Sequence, residues 1–296
     1  MSGGPCADCF RGDVHDGTPT GTVTTIHGLP TYVANPPEGT TPKGIVVFIP
    51  DAFGWEFVNN RLLCDKYAQR ASAIVYLPDF MGGHAMPTLA LSLMEKILTP
   101  SSWLTTLLYK PLYILRAASM AIPFYISNRG SVVKPRIFSF VQALRTSPPP
   151  FETNNLKIGA AGFCWGGKYT VILAHDTPSS RIHPHSSQLT SNILSPLIDC
   201  AFIAHPSMLS VPSDIEKINV PLSCAVGDVD MAISKKEVLA MKEILEVKKK
   251  GDHEVNVLEG AKHGFAVRTM KDDKVQMEYA DQAETQAVNW FLRWFA

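Results

Sequence analysis

The residues that nucleophilic catalysis uses together, a nucleophile, an acid and a base, can each be placed in this chain by type and spacing. The nucleophile candidate is Cys164, in "GAAGFCWGGKY" (159–169). Gly162-Phe163-Cys164-Trp165-Gly166 fits G-x-[SC]-x-G, with an apolar run before it and a helical pattern after it. In that setting the pentapeptide reads as a nucleophile elbow, a sharp strand-to-helix turn that lifts the side chain out of a sheet. Glycines flank it because a Cβ there would collide with the neighbouring strand and helix. The helix N-terminus behind the sulfur favours a thiolate. The plainer reading is a buried thiol beside a tight turn.

A thiolate needs a base, and the base needs an orienting acid. His263 sits in the Gly-flanked loop "EGAKHGFAVR" (259–268), after the last predicted strand. His183 and His185 lie in a polar loop, and His205 ends a strand before a proline. The acid is expected after the preceding strand, in "CAVGDVDMAIS" (224–234). Asp230 stands further into that loop than Asp228, which reads as a strand-end or turn residue. Two backbone amides should hold the oxyanion: that of Trp165, after the nucleophile, and that of Ala52, in "IPDAFGW" (49–55). Asp51 then lies near the site, either taking the thiol proton or capping the next helix.

These positions require a particular framework. "GIVVFIPD" (44–51) and "SAIVYLPDF" (72–80) read as strands, with a helix between them over "NNRLLCDKYAQRA". Further strands are predicted at 156–163, 198–206, 221–228 and 253–260. Helices are predicted over 166–175, 234–249 and 277–295. The alternation predicts a mostly parallel, doubly wound α/β sheet with helices on both faces. No repeat or linker divides the chain, so one domain over 1–296 is expected, with 1–24 as an N-terminal arm.

Residues 85–136 break the rhythm. "SSWLTTLLYKPLYILRAASMAIPFYI" is apolar and aromatic, but Lys110, Pro111 and Arg116 interrupt it before it could span a bilayer. It reads as core helices, as a helical insert capping a pocket, or as a surface-associated element. The preceding strand ends at the rim of the site, which favours the cap. Trp103 and Tyr125 are then its substrate-binding candidates, and a homodimer contact is the competing use.

Composition excludes other classes. Twenty-seven basic and 27 acidic residues cancel, so no long-range field draws nucleic acid. The run Lys248-Lys249-Lys250 reads as a solvated helix end. "MSGGPCADCF" has no apolar signal core, and six cysteines are too few for a disulfide scaffold, so a cytoplasmic location is expected. Cys6 and Cys9, with His15, lack a fourth zinc ligand at a recognisable spacing; an arm packed on the domain is the simpler reading.

From about Thr25 onward, "PDAFGW", "YLPDFMGG", "GFCWGGK", "GDVDMAI" and "AKHGFAVR" resemble the dienelactone hydrolases (carboxymethylenebutenolidases) in order and spacing. The Cys-x-x-Cys-Phe start and the long insert resemble the eukaryotic, especially fungal, branch. The resemblance implies an α/β-hydrolase fold and a Cys164–His263–Asp230 triad. Bacterial members carry a glutamate where this chain has Asp51. They also carry an arginine where it has Met81-Gly82-Gly83-His84; Arg268, a further substrate-binding candidate near His263, is shifted by one from their arrangement. These departures argue against dienelactone itself as substrate. The leading reading is hydrolysis of lactones or activated esters through a thioester without metal or organic cofactor, and an apolar cap together with the missing arginine favours bulky, apolar substrates. Acyl transfer or thioester cleavage at the same site, and a silent binding module, are the alternatives.

Overall fold

The computed structural model describes residues 12–188, 193–248 and 251–296. Cys6, Cys9 and Lys249-Lys250 lie outside the described residues. Eight strands form one sheet in the order β1-β2-β4-β3-β5-β6-β7-β8. They are β1 (Thr22–Ile26), β2 (Leu29–Ala34), β3 (Ile45–Ile49), β4 (Ile74–Pro78), β5 (Ile158–Phe163), β6 (Cys200–Ala204), β7 (Leu222–Gly227) and β8 (His253–Leu258). From β4 to β8 every pairing is parallel. The central strands β3, β5, β6 and β7 are buried at every residue, as parallel strands covered on both faces must be. Edge strand β8 alternates instead, burying His253 and Val255 and exposing Glu254 and Asn256.

Two helical layers cover the sheet. One core holds Ile45, Val47, Ile137, Phe140, Val171 and Met241; the other holds Phe48, Tyr67, Phe163, Phe202, Trp290 and Phe291. The covering helices are α1 (Val58–Ala71), α4 (Gly130–Thr146), α5 (Trp165–Ala174), α6 (Lys235–Lys248) and α7 (Lys274–Trp294). Between β4 and α4 come α2 (Leu89–Leu98), a π-helical turn (Thr105–Tyr109) and α3 (Lys110–Ser127).

Two features differ from the sequence reading. The β1–β2 hairpin was not expected. Its turn is His27-Gly28, both with positive φ (46° and 81°), as a two-residue hairpin turn matching strand twist requires. The segment 85–136 also divides. Residues from Gly130 onward begin α4, which buries Val133 and Ile137 in the core, whereas α3 buries only Phe124. Asn128 ties the junction, donating to the carbonyls of His84 (2.8 Å) and Phe124 (3.0 Å). Ahead of the hairpin, the chain lies along α1: Asn59 donates to the Asp13 carbonyl and accepts from the His15 amide, and Asp65 accepts from the Thr20 amide.

Candidate active site

The strand β5 ends at Phe163, and Cys164 turns the chain into α5 with φ 49° and ψ −113°. A non-glycine residue holds that conformation only when its surroundings over-determine it. Here they do. The Cys164 amide donates to the Ala204 carbonyl (3.3 Å), and its carbonyl accepts from the amides of Gly167 (3.1 Å) and Ser207 (3.0 Å). Gly166 donates to the Pro50 carbonyl (3.1 Å), joining the turn to the end of β3. A Cβ on Gly166 would lie 2.0 Å from the Ile49 carbonyl oxygen, and one on Gly162 would lie 2.1 Å from Thr170 Oγ1. The glycines are there because strand and helix meet at that distance.

His263 comes from the loop after β8. Gln276, at the start of α7, pins that loop by accepting from the Lys262 amide (3.0 Å) and donating to the Gly260 carbonyl (3.0 Å). His263 Nε2 lies 3.1 Å from Cys164 Sγ. On its other side Nδ1 donates to Asp230 Oδ1 and Oδ2, at 2.8 and 3.0 Å. Asp230 is buried and oriented by the Ala232 amide (2.7 Å). Asp228 instead accepts from the Gly260 amide (2.7 Å) and pairs with Lys235 (2.9 Å), tying β7 to β8 away from the imidazole.

Burial opposes charge on both the thiol and the imidazole. The neighbouring His263 charge and hydrogen bond, and then Arg268, outweigh it and bring the Cys164 thiol below its ordinary value. His263 rises above its ordinary value, its burial outweighed by Cys164 and Asp230. The arrangement therefore favours a thiolate–imidazolium pair, a nucleophile already ionised before a carbonyl arrives.

Asp51 is fully buried and does not bond to the sulfur. It accepts from the Phe53 amide (3.2 Å) and Asn60 Nδ2 (3.0 Å), and its Oδ2 lies 3.5 Å from Arg268 Nε. Burial, only partly offset by Arg268 and these donors, raises its pKa. Nor does it cap α1, whose N-cap is Phe57. Taking the thiol proton directly and capping α1 give way to a buried carboxylate beside Arg268 that acts on the thiol through its charge. Arg268 is held between Asp51 and the Phe53 ring, 5.6 Å from its centroid.

A cavity of about 610 Å³ opens over Cys164. Ala52, Trp165, His263 and Arg268 border it at the sheet side. Trp165 is the first residue of α5, where helix amides have no intrahelical acceptor. The opposite wall is Leu91 and Met94 of α2 with Ala118, Ala121 and Tyr125 of α3. Tyr125 is thus where a substrate contact was expected, but Trp103 is not. It stands 73% exposed before the π-helical turn, outside the cavity lining, because its segment faces away from the sheet.

Sequence reasoning missed one neighbour of the pair, Ser207, and set another, His205, aside. Ser207 Oγ lies 3.7 Å from the sulfur. His205 is fully buried, its ring 5.1 Å from that of His263, and burial holds it well below the ordinary imidazole value. Both follow β6 in "AHPS". No spacing rule singles them out; only the parallel pairing of β5 with β6 brings them to Cys164.

The dienelactone hydrolase family profile matches residues 29–296. The chain belongs to the dienelactone hydrolase family. It is a carboxylic ester or lactone hydrolase of α/β-hydrolase fold, as the resemblance implied. Two fungal relatives are similar over nearly their whole length. Hydrolase pyvD of Aspergillus violaceofuscus is 24% identical, covering 97% of this chain and 96% of its own. Dienlactone hydrolase 1 of Gibberella moniliformis is 25% identical, covering 97% and 93%. The fold is shared with a Klebsiella pneumoniae structure described as a putative dienelactone hydrolase. The two superpose with a TM-score of 0.59 at 18% identity, over 92% of this chain and 96% of that one.

Proposed function

We propose that this dienelactone hydrolase family member cleaves bulky, apolar lactones or activated esters through a covalent thioester on Cys164. The observation that carries the reading is the 3.1 Å contact between Cys164 Sγ and His263 Nε2, continued to Asp230 on the far side of the ring. The thiolate attacks the carbonyl carbon, and the carbonyl electrons move onto oxygen. The amides of Ala52 and Trp165 receive that oxyanion. Collapse breaks the C–O bond, and the leaving alkoxide takes the proton from His263. Water then attacks the thioester, giving its proton to His263, and collapse returns the thiolate and releases the carboxylic acid. Asp230 keeps the ring in the tautomer that presents Nε2 to the sulfur.

The substrate class follows from the cavity. Its wall from α2 and α3 is aliphatic, and Arg268, the cation at its edge, faces the Asp51 carboxylate. A small, charged acid would find little there to hold it. The segment from 85 to the end of α3 acts in this reading as a cap.

The test is a panel of aryl esters and lactones with intact-mass detection. An acyl adduct on Cys164 is expected, and Cys164→Ala should lose turnover by orders of magnitude while keeping the fold. Residual turnover above about a tenth of wild type would remove Cys164 from the chemistry.

A further inference from the structure

The helix α3 is apolar around most of its circumference, with Arg116 and Ser119 the polar residues of its outward side, yet only one side faces protein. At roughly 100° per residue, Ala117, Ala118, Ala121 and Phe124 fall on the side that lines the cavity. Leu112, Leu115, Ile122 and Ile126 fall on the opposite side and are 59%, 69%, 57% and 60% exposed. The outward stripe continues through Leu107 and Leu108 of the π-helical turn to Trp103, all exposed. A contiguous apolar face of this kind marks a contact with something other than water.

Charge says what that contact is. Glu95 and Glu152 bracket 56 residues without a single carboxylate, in which Lys96, Lys110, Arg116, Arg129, Lys134, Arg136 and Arg145 all stand. Elsewhere the chain must therefore be net acidic, since 27 basic and 27 acidic residues balance overall. Arg145 is buried against Asp199, but Lys96, Arg116, Arg129 and Lys134 are exposed, and Arg116 stands on the outward side of α3 itself. A second copy apposed through the same segment would set Arg116 against its own kind, and residues 96–151 carry no carboxylate to pair with it. An anionic headgroup layer supplies the missing charge, and its acyl boundary accepts the leucines. Trp103, Tyr109 and Tyr125 are the aromatic types that settle at such a boundary. The helix would lie in the surface plane: among the described residues no helix is long and apolar enough to cross a membrane.

We propose that the outward face of residues 103–126 docks on an anionic lipid bilayer. Ile114 and Tyr125 are both exposed and part of the cavity lining, so the lip of the cavity would open onto the acyl phase. That last consequence rests on the proposed hydrolase reading; the docking does not.

The full chain is floated with phosphatidylcholine vesicles and with phosphatidylcholine–phosphatidylglycerol vesicles. It should rise with the second kind and progressively detach as salt shortens the Debye length. Trp103 emission should shift to the blue on binding, a shift that Trp103→Phe removes. The double substitution Leu112→Ser/Leu115→Ser, and separately Arg116→Glu, should weaken partitioning by about tenfold or more. Neither touches the cavity, so hydrolysis of a small water-soluble ester should persist in both. Cys164→Ala should bind vesicles like wild type, which separates docking from chemistry. Failure to float at any salt overturns the proposal. So does equal flotation of the Leu112→Ser/Leu115→Ser protein. So does a dimer, seen by light scattering without lipid, that these substitutions dissolve: the face would then be a protein contact.

Discussion

Cys164 and His263 stabilise each other's charge, and burial penalises either charge alone. That sets the sign of two pH effects. With the thiol below its ordinary value, alkylation of Cys164 by iodoacetamide should reach half its plateau rate below about pH 8.5, the ordinary thiol value. In His263→Ala the two largest lowering causes are gone, and burial is opposed by Arg268 alone, so the midpoint should rise relative to wild type. An unshifted midpoint would mean the two side chains do not share charge. Asp51 acts in the opposite direction, since its carboxylate raises the thiol while Arg268 lowers it. Asp51→Asn removes the raising charge and frees that of Arg268 to act on the sulfur. The alkylation midpoint is expected to fall in this variant. A rise would mean that Asp51 acts by holding the loop of Ala52 rather than by its charge. His205 gives a third, slower readout. Its folded-state pKa is depressed by burial, so the unfolded chain takes up a proton that the folded one refuses. Stability from this residue is present above the unfolded value near pH 6.5 and falls as pH drops below it. Urea midpoints of His205→Phe should accordingly change less between pH 8 and pH 5 than those of wild type.

At the scale of elements, the elbow is made by how closely β3, β5 and α5 approach. Gly166→Ala would drive a Cβ into the backbone oxygen of Ile49, and backbone cannot step aside as a side-chain tip can. A loss of about 1–3 kcal/mol or more in urea unfolding is expected. Gly130→Ala is the internal control: nothing lies within 4 Å of its Cβ, at the start of α4. It should be neutral or slightly stabilising, as glycine-to-alanine changes at compatible positions are. Elements of this central kind were legible in the sequence because parallel strands buried on both faces leave unbroken apolar runs, as "IVVFI" and "IGAAGF" do. The hairpin was not, because β1 is exposed along most of its length and carries no buried alternation. The candidate residues at strand ends could be placed by topology alone: Cys164 after β5, Asp230 after β7, His263 after β8. Ser207, Asn60 and Gln276 could not. They are ordinary polar residues until tertiary contacts bring them to the sulfur, to Asp51 and to the His263 loop.

At the scale of the whole molecule, a sheet that presents Cys164 at its edge meets an apolar layer that owes the core little. α4 is anchored by Val133, Ile137 and Phe140, whereas α3 contributes Phe124 alone. Material that adds so little to the core is free to set selectivity. If α2 and α3 form the acyl or alcohol wall, Tyr125 and Trp103 should separate cleanly, although sequence alone paired them. Tyr125 borders the cavity and Trp103 does not. In lipid-free buffer, Tyr125→Ala should lower kcat/KM for a bulky aromatic ester several-fold relative to a small acetate ester. The change should be modest, because Tyr125 is 63% exposed and only part of its ring borders the cavity. Trp103→Ala should leave that ratio where it was. A ratio that stays constant in Tyr125→Ala, with only thermal stability altered, would make the wall structural and return the choice of substrate to Arg268 and the loop of Ala52.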